Sequence, residues 1–224
     1  MPASAPSSGE TSASSRKRVY YAGDLRRDLM DAALVAATEC GPSHVSLRDL
    51  ARRLGVSHAA PKNHFADKRA LFTALAAEAH HRLADSMDDA MLRADAEDPV
   101  QRLLASGRAY LHFARQKPGY FTVMWQEDLH DRTDPALLAA SARTFGSLLA
   151  LAGEVTTSHR NGALEGQDPV AVALLAWTLV HGLADLSAGG AMDDVPGPHD
   201  PHEWDEVLLG LVQGLLNGRS EPRP

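Results

Sequence analysis

The sequence is poor in the features that indicate a secreted, disulfide-bonded or membrane-spanning protein. The single cysteine, Cys40, excludes a disulfide within the chain and fits a reducing cytoplasm, and we expect its thiol to pack as a small apolar group. No unbroken apolar run reaches the ~18 residues of a membrane span. The polar N-terminal segment lacks the apolar stretch of a secretory signal. These shortages predict a cytoplasmic protein that does not enter the membrane.

The motifs of common enzymes and metal centres are missing as well. The sequence has no glycine-rich phosphate loop, no His-Glu-x-x-His, no Gly-x-Ser-x-Gly and no cysteine-rich metal spacing. His80 and His81 are neighbours on a predicted helix and point in different directions, whereas His199 and His202 fall in a linker rich in glycine and proline. We therefore predict no catalytic residue, no metal and no cofactor.

Alternation of apolar and polar residues, which would indicate β-strands, is also absent, and apolar residues recur at helical spacing instead. Helices are predicted near residues 25–40, 99–116, 118–127, 135–155, 169–187 and 201–217, beside those described below. Three of them begin at Asp-Pro, which combines an N-cap with a preferred first helical residue. The pattern predicts an all-α protein of about nine helices.

The net charge of −7 is unevenly distributed along the chain. Residues 16–72 carry 11 Lys or Arg against 6 Asp or Glu, whereas residues 73–224 carry 11 against 22. A basic segment followed by an acidic body suggests that the first part faces a polyanion and the second does not. The alternative is a chance fluctuation among solvated surface charges.

Residues 46–65 have the pattern of two short helices joined by a tight turn. Ser46 and Asp49 form a capping-box pattern, and the apolar residues that follow fall on one helical face. Gly55 stands where a helix often ends in a left-handed residue. The pattern is typical of a helix-turn-helix, whose second helix enters a DNA major groove. Spacing alone leaves an ordinary helical hairpin as the alternative.

The residues of this motif and its flanks make the chain resemble the TetR family of bacterial regulators. The matching positions are Ser46, Leu50, Ala51, Leu54, Gly55, Val56, Ser57, His64, Phe65, Lys68 and Leu71. Residues 107–114, 118–124 and 176–183 resemble the WHG-type ligand domain of one subgroup of that family. The sequence departs from the family at Lys62, where a tyrosine that contacts a backbone phosphate usually stands.

The resemblance implies a three-helix DNA-binding domain followed by a helical ligand-binding and dimerisation domain. The expected division is a disordered arm at 1–19, a helix-turn-helix domain at 20–66, a connector helix at 67–95, a ligand-binding and dimerisation domain at 96–218 and a tail at 219–224. Helix 1 would brace the motif, and the connector would link it to the acidic body.

The predicted recognition helix spans residues 58–64, with phosphate-binding groups on either side of it. The predicted DNA-binding residues are Arg18, Ser46, Arg48, Ser57, His58, Ala59, Lys62, Asn63, His64 and Lys68. So short a recognition helix makes few base contacts, and two copies would double their number. This predicts a homodimer on a near-palindromic operator of double-stranded DNA. The basic arm around Arg18 either reaches a neighbouring groove or stays solvated.

The last two helices are the expected dimer face, because the family dimerises through them as a four-helix bundle. The predicted interface residues are Leu179, Leu183, Leu208, Leu211, Val212 and Leu215. The alternative is an ordinary monomer core.

Aromatic residues are few but gather in the C-terminal part, where an apolar pocket with a few polar groups would bind a small molecule. The predicted pocket residues are Tyr110, Phe113, Tyr120, Phe121, Met124, Trp125, Phe145, Trp177 and His181. For each of them a place in the core is the alternative.

These features together predict a DNA-binding transcriptional regulator that is not an enzyme. We expect a repressor that is released from its operator when a small, largely apolar molecule binds the C-terminal domain and shifts the connector helix. Two alternatives stay open, namely a helical protein that binds a protein partner and a DNA-binding protein that needs no ligand.

Overall fold

The computed structural model describes residues 22–94, 97–158, 164–192, 194–197 and 200–216. Within these ranges the protein is all-helical and has no β-strand, which confirms the predicted fold class. Its α-helices are α1 (Ala22–Cys40), α2 (Leu47–Leu54), α3 (Lys68–Arg93), α4 (Pro99–Gln116), α5 (Pro118–Trp125), α6 (Pro135–Thr157), α7 (Pro169–Ala188) and α8 (Pro201–Leu216). The expected arm at 1–19, with Arg18, and the tail at 219–224 lie outside the described residues.

The described ranges contain eight α-helices rather than about nine, because the second helix of the helix-turn-helix is a 3-10 helix, Ala60–Asn63. An α-helix over residues 58–64 would need a hydrogen bond from residue 61 to the carbonyl of Ser57. Pro61 has no N–H to make it. The Ala60 N–H donates to that carbonyl instead, at 3.0 Å. The recognition segment is therefore tighter and shorter than the predicted α-helix.

The N-terminal helices pack through the small-residue stripe of α1. Leu29 and Ala33 are fully buried there, as is Ala51 of α2. Cys40 departs from its expected place in the core. It is exposed at the end of α1, where its Sγ lies 3.0 Å from the carbonyl oxygen of Ala36, because the last turn of the helix runs past the packed residues.

The helices α4, α6 and α7 begin at aspartate N-caps, as their Asp-Pro pairs predict. The side chains of Asp98, Asp134 and Asp168 each accept a hydrogen bond from the N–H two residues further on, at 2.9, 2.9 and 3.0 Å. The proline that follows each cap has no N–H to leave unsatisfied in the first turn. The starts of α4, α6 and α7 are thus fixed by local sequence.

The long helix α3 is the centre of the molecule and packs against α4, α5 and α6. Its inner face buries Leu71, Leu75 and Leu83 completely. One continuous apolar cluster runs from α1 through α3 to α8. On the far side, Arg115 of α4 pairs with the buried carboxylate of Asp205 and holds α8 to the body. Because residues of α3 pack in this cluster against both the N-terminal helices and the C-terminal helices, α3 joins the N-terminal motif to the acidic body.

Helices α6 and α7 are long and apolar enough to cross a membrane by length and composition. This is weak evidence, because core helices of soluble proteins pass the same test. Small and polar residues interrupt both helices, so neither stands out in the sequence as an unbroken apolar run. Only 28% of each apolar window is buried inside the chain, so much of their apolar surface faces outward in a single copy.

Candidate nucleic-acid interface and internal cavity

The two ends of α2 are fixed by caps that the sequence predicts. Ser46 Oγ accepts the Asp49 N–H at 3.1 Å and donates to Asp49 Oδ2 at 2.7 Å. This hydrogen bond, with Arg52 nearby, lowers the pKa of the Asp49 carboxyl. At the other end, Gly55 has a φ of 67°, a left-handed conformation that costs little without a side chain. The Ser46 hydroxyl is therefore occupied as a cap.

Two exposed cations near the turn are available for a polyanion. Arg48 on α2 and Lys62 on the 3-10 helix have no ion pair among the described residues. By contrast, Arg52 and Arg53 are each 2.8 Å from a carboxylate oxygen. Pairing within the chain leaves those two less free to bind phosphate than Arg48 and Lys62.

The other predicted DNA-binding side chains differ in their exposure. Those of Ser57, His58, Ala59 and Asn63 are exposed along the turn and the 3-10 helix, and His64 is half-buried. They form one continuous stretch of surface around Lys62. This is the arrangement that base and phosphate contacts require of a recognition segment.

Lys68, at the start of α3, is held by the chain itself. Its Nζ donates to the carbonyl of Ser43 at 2.7 Å and lies 5.7 Å from the centre of the Phe72 ring. Partial burial lowers the pKa of Lys68. Its ammonium thus ties α3 to the loop before α2, and a phosphate would have to share it with that carbonyl.

A cavity of about 530 Å³ lies among the C-terminal helices. Its wall is mostly apolar and is built from α3, α4, α6, α7, α8 and the end of α5. Five of the predicted pocket residues line it, namely Tyr110, Met124, Trp125, Phe145 and Trp177. The volume falls in the usual range for small-molecule sites.

The other four predicted pocket residues lie behind the cavity wall, because they are on the inner faces of their helices. Phe113, Tyr120 and Phe121 are buried in the core. His181 Nδ1 and the Tyr110 hydroxyl share a hydrogen bond of 2.8 Å. The centre of the His181 ring is 4.7 Å from that of Trp125. These residues support the aromatic wall and do not line the cavity.

Two buried histidines that the sequence analysis did not select also line the cavity. They are His80 on α3 and His130 in the α5–α6 loop. Burial lowers the pKa of His80 to about 4, with the charges of His130 and His81 adding to the effect. Burial also lowers the pKa of His130. The sequence gives one indication that His80 is buried, since it falls on the apolar face of α3 with Ala76 and Ala84.

A carboxylate on α3 joins α1 to the start of α5. Glu78 Oε1 accepts from Arg27 of α1 at 2.7 Å, from Arg82 at 2.6 Å and from the Tyr120 hydroxyl of α5 at 3.0 Å. Next to Tyr120, a Cβ at Gly119 would lie 2.9 Å from Thr38 Oγ1 of α1, so only glycine allows this approach. Helix α5 therefore touches α1 at its start and the cavity at its end.

The α5–α6 loop makes a second connection, this time to the first turn of α3. The Arg69 side chain donates to the His130 carbonyl at 2.8 Å. The Asp131 N–H donates to Thr73 Oγ1, also at 2.8 Å. A residue of the cavity wall is thus fixed to the helix turn that contains Lys68.

An apolar surface covers the outer faces of α7 and α8. We define this outer face by its exposed residues, which are Val170, Leu174, Leu175, Leu186, Val207 and Leu211. Only Leu211 belongs to the predicted dimer interface. Most of the others escaped prediction because α7 is apolar on nearly all sides, so its sequence does not tell which side packs inward.

The remaining predicted interface residues are less accessible. Leu179 and Val212 line the cavity, and Leu208 is half-buried. Leu183 is only 6% exposed and packs in the core of the chain, so little of its side chain is accessible to a partner. The side chain of Leu215 lies outside the described part of the chain.

Acidification is expected to destabilise the protein through His80. Its pKa is about 4 when folded and 6.5 at its ordinary value. Between these values the unfolded chain binds a proton that the folded chain does not. The free energy of unfolding therefore falls as the pH drops from 6.5 towards 4, by about 3 kcal/mol for this one group.

Urea unfolding at several pH values measures this loss. His80→Gln should remove it, whereas His112→Gln, at an exposed position on α4, should keep it. The same pH dependence in wild type and His80→Gln would contradict the prediction.

Two family models match the chain and together span more than two thirds of it. Residues 29–75 match the model for bacterial regulatory proteins of the tetR family. Residues 103–211 match the model for the tetracyclin repressor-like C-terminal domain. No curated protein sequence matches the chain.

Solved structures share the whole fold. A protein of unknown function from Rhodococcus sp. RHA1 has a TM-score of 0.74 and 27% identity, over 91% of this chain and 99% of that chain. The TetR family transcriptional regulator PfmR from Thermus thermophilus has a TM-score of 0.63 and 20% identity, over 82% of this chain and 96% of that chain. The fatty acid degradation regulator FadR from Bacillus halodurans has a TM-score of 0.63 and 17% identity, over 88% of this chain and 97% of that chain. At such identities the last two show the fold alone.

Proposed function

The chain belongs to the TetR family of transcriptional regulators, and on that premise we propose that it is a homodimeric repressor whose operator affinity falls when a small, largely apolar molecule fills the cavity. The family is one of soluble, cytoplasmic DNA-binding regulators and indicates a non-enzymatic protein. The WHG-type subgroup stays a prediction, since the matching C-terminal model describes tetracyclin repressor-like domains in general.

The observation that carries the proposal is the position of α5 between the cavity and α1. Trp125 at the end of α5 lines the cavity, and Gly119 and Tyr120 at its start contact α1 directly or through Glu78. A helix of eight residues transmits a displacement at one end to the other. A ligand that moves Trp125 therefore shifts α1, and with it the recognition segment.

The ligand weakens operator binding only if it binds the free conformation more tightly than the DNA-bound one. In a dimer formed through the outer face of α7 and α8, the same shift in both copies changes the distance between the two recognition segments. A change of this distance disturbs the match to two half-sites, which are held at a fixed separation on the duplex.

Dye binding and operator binding measured together test the proposal. Nile red, an uncharged apolar dye, should bind the wild-type cavity with increased emission. Molecules that displace it should also release the operator in a fluorescence anisotropy titration. Displacement of the dye with no change in operator affinity would reject ligand control and favour a ligand-independent DNA-binding protein.

A blocked cavity supplies the control. Ala142 lies at the cavity mouth on α6, and Ala150 is exposed on the same helix away from the cavity. Ala142→Trp should keep operator binding but lose both dye binding and release. Ala150→Trp should behave as wild type in all three measurements.

A further inference from the structure

The polar side chains of the cavity specify which chemical group its ligand carries. Apart from an ion pair described below, the strongest polar features of the wall are His80, His130 and the indole N–H of Trp125. The hydrogen bonds that these groups already make determine what each of them still offers to a ligand.

His80 offers a bare ring nitrogen. Its Nδ1 lies 3.3 Å from Thr144 Oγ1, and that hydroxyl is itself 3.1 Å from the Ala140 carbonyl and 3.2 Å from the His80 carbonyl. A hydroxyl has one proton, and when Thr144 gives it to either carbonyl, its oxygen accepts from His80 Nδ1–H. The neutral ring is left with Nε2 as a lone-pair acceptor.

His130 offers the same group for a similar reason. Its ring makes a hydrogen bond to the backbone of Val123, and its Nε2 is buried without a partner among the described residues. The bond to the Val123 carbonyl therefore uses Nδ1–H, and Nε2 is again the acceptor. His130 itself is 3% exposed. A buried acceptor without a partner is costly, so a ligand that donates to it gains affinity.

Trp125 supplies the complementary group. Its Nε1–H is buried and has no partner at full hydrogen-bond geometry among the described residues, although its approach to the Tyr110 hydroxyl opposes the rise in pKa that burial gives that group. An indole nitrogen is a donor only. The residues of the cavity wall thus hold lone pairs that need a donor and an N–H that needs an acceptor. His130 Nε2 and the Trp125 N–H lie just beneath the wall, so a ligand reaches them through a small shift of these side chains.

Charged ligand groups fit this wall poorly. Among the described residues, the only charged side chains that line it are Glu127 and Arg132, which pair with each other at 2.8 Å and are 61% and 70% exposed. An ammonium group would enter without a free carboxylate and could not accept from Trp125. A carboxylate would face the two imidazole lone pairs. Burying either charge without a partner is expensive.

We propose that the ligand of this cavity is an uncharged alcohol or phenol with an apolar body, whose hydroxyl donates to His130 Nε2 and accepts from the Trp125 N–H. A hydroxyl is the simplest group that does both. The proposal rests on the function proposed above, since it names the chemistry of the same cavity.

Four probes with one shared tail separate the possibilities. They are 1-decanol, its methyl ether, decanoate and decylammonium, titrated at pH 7.5 without DNA. The intrinsic fluorescence of Trp125 and Trp177, which both line the cavity, reports binding. We expect 1-decanol to bind at least about tenfold more tightly than each of the other three, since the ether lacks the donor and the others are charged.

Two variants locate the effect. In His130→Phe, which removes the Nε2 acceptor, 1-decanol and its methyl ether should bind within about threefold of each other. His112→Phe, at an exposed histidine away from the cavity, should keep the tenfold preference. If His130→Phe does not fold, the four wild-type affinities decide alone.

The proposal is overturned if the ether binds as tightly as the alcohol, if either charged probe binds more tightly, or if no probe binds. Because the titrations contain no DNA, they are independent of operator release. A preference for 1-decanol without any change in operator affinity would reject control by the ligand and leave the chemistry of the cavity established.

Discussion

The double variant Leu175→Glu, Leu211→Glu is expected to be a monomer that has lost operator affinity on the order of a thousandfold. These two leucines are 67% and 60% exposed in a single chain and lie on the outer face of α7 and α8. In the proposed two-fold dimer that face is covered, and a buried glutamate without a partner opposes association. Sedimentation equilibrium measures the oligomeric state, and anisotropy titration measures the affinity.

The physical reason for so large a loss is that two recognition segments bind as one unit. Once the first segment has bound its half-site, the second is held close to its own and binds without a new diffusional encounter. In the proposed complex each half-site alone is read by a four-residue 3-10 helix and its flanks. A monomer therefore keeps only the weak affinity of one such segment.

A matched control shows whether the loss of operator affinity comes from the added charge and the removed apolar side chains, or from disruption of the interface. Leu92→Glu, Val195→Glu places the same two charges at exposed apolar positions outside the outer face. It should remain a dimer with wild-type operator affinity. A Leu175→Glu, Leu211→Glu protein that is still dimeric would show that the subunits associate elsewhere.

The double variant Arg48→Ala, Lys62→Ala should weaken operator binding about a hundredfold at moderate salt. Both cations are exposed on the helix-turn-helix, Arg48 at the start of α2 and Lys62 on the 3-10 helix, and have no ion pair among the described residues. A dimer would lose about four phosphate contacts, and the slope of log K against log salt should fall by about the same number. Folding should be unaffected, because neither side chain is buried.

Arg93→Ala, Lys117→Ala is the matched control, since it removes two exposed cations outside the motif. Its affinity and salt slope should stay close to those of wild type. Equal losses in the two double variants would indicate that net charge, and not these two positions, sets the affinity. Loss of affinity without a change in salt slope would indicate that Arg48 and Lys62 act other than through phosphates.

Local chemistry explains why much of the fold was predictable. The Asp98, Asp134 and Asp168 caps depend on two or three adjacent residues, so the sequence contains all that determines them. The same holds for the Ser46 cap and the left-handed Gly55. The composite of such local signals, at the spacing of a helix-turn-helix, also made the family recognisable.

Features that depend on distant packing were not predictable to the same extent. The cavity forms where helices separated by up to about a hundred residues meet, so His80 and His130 come together only in the fold. Leu183 is buried within the single chain, and the sequence could not show this because α7 is apolar nearly all round. The sequence shows that Pro61 has no N–H to donate. It does not show that the Ala60 N–H would donate to the Ser57 carbonyl instead and produce a 3-10 helix.

The most direct test of DNA-binding regulation by this protein is a nuclease footprint of the full chain on the DNA that flanks its own gene, at about 0.15 M salt. We predict a protected near-palindrome, with half-sites separated by a whole number of helical turns. Protection should disappear for Arg48→Ala, Lys62→Ala and persist for Arg93→Ala, Lys117→Ala. No protection by the wild-type protein, or equal protection by both double variants, would contradict the assignment of the recognition segment and of its role.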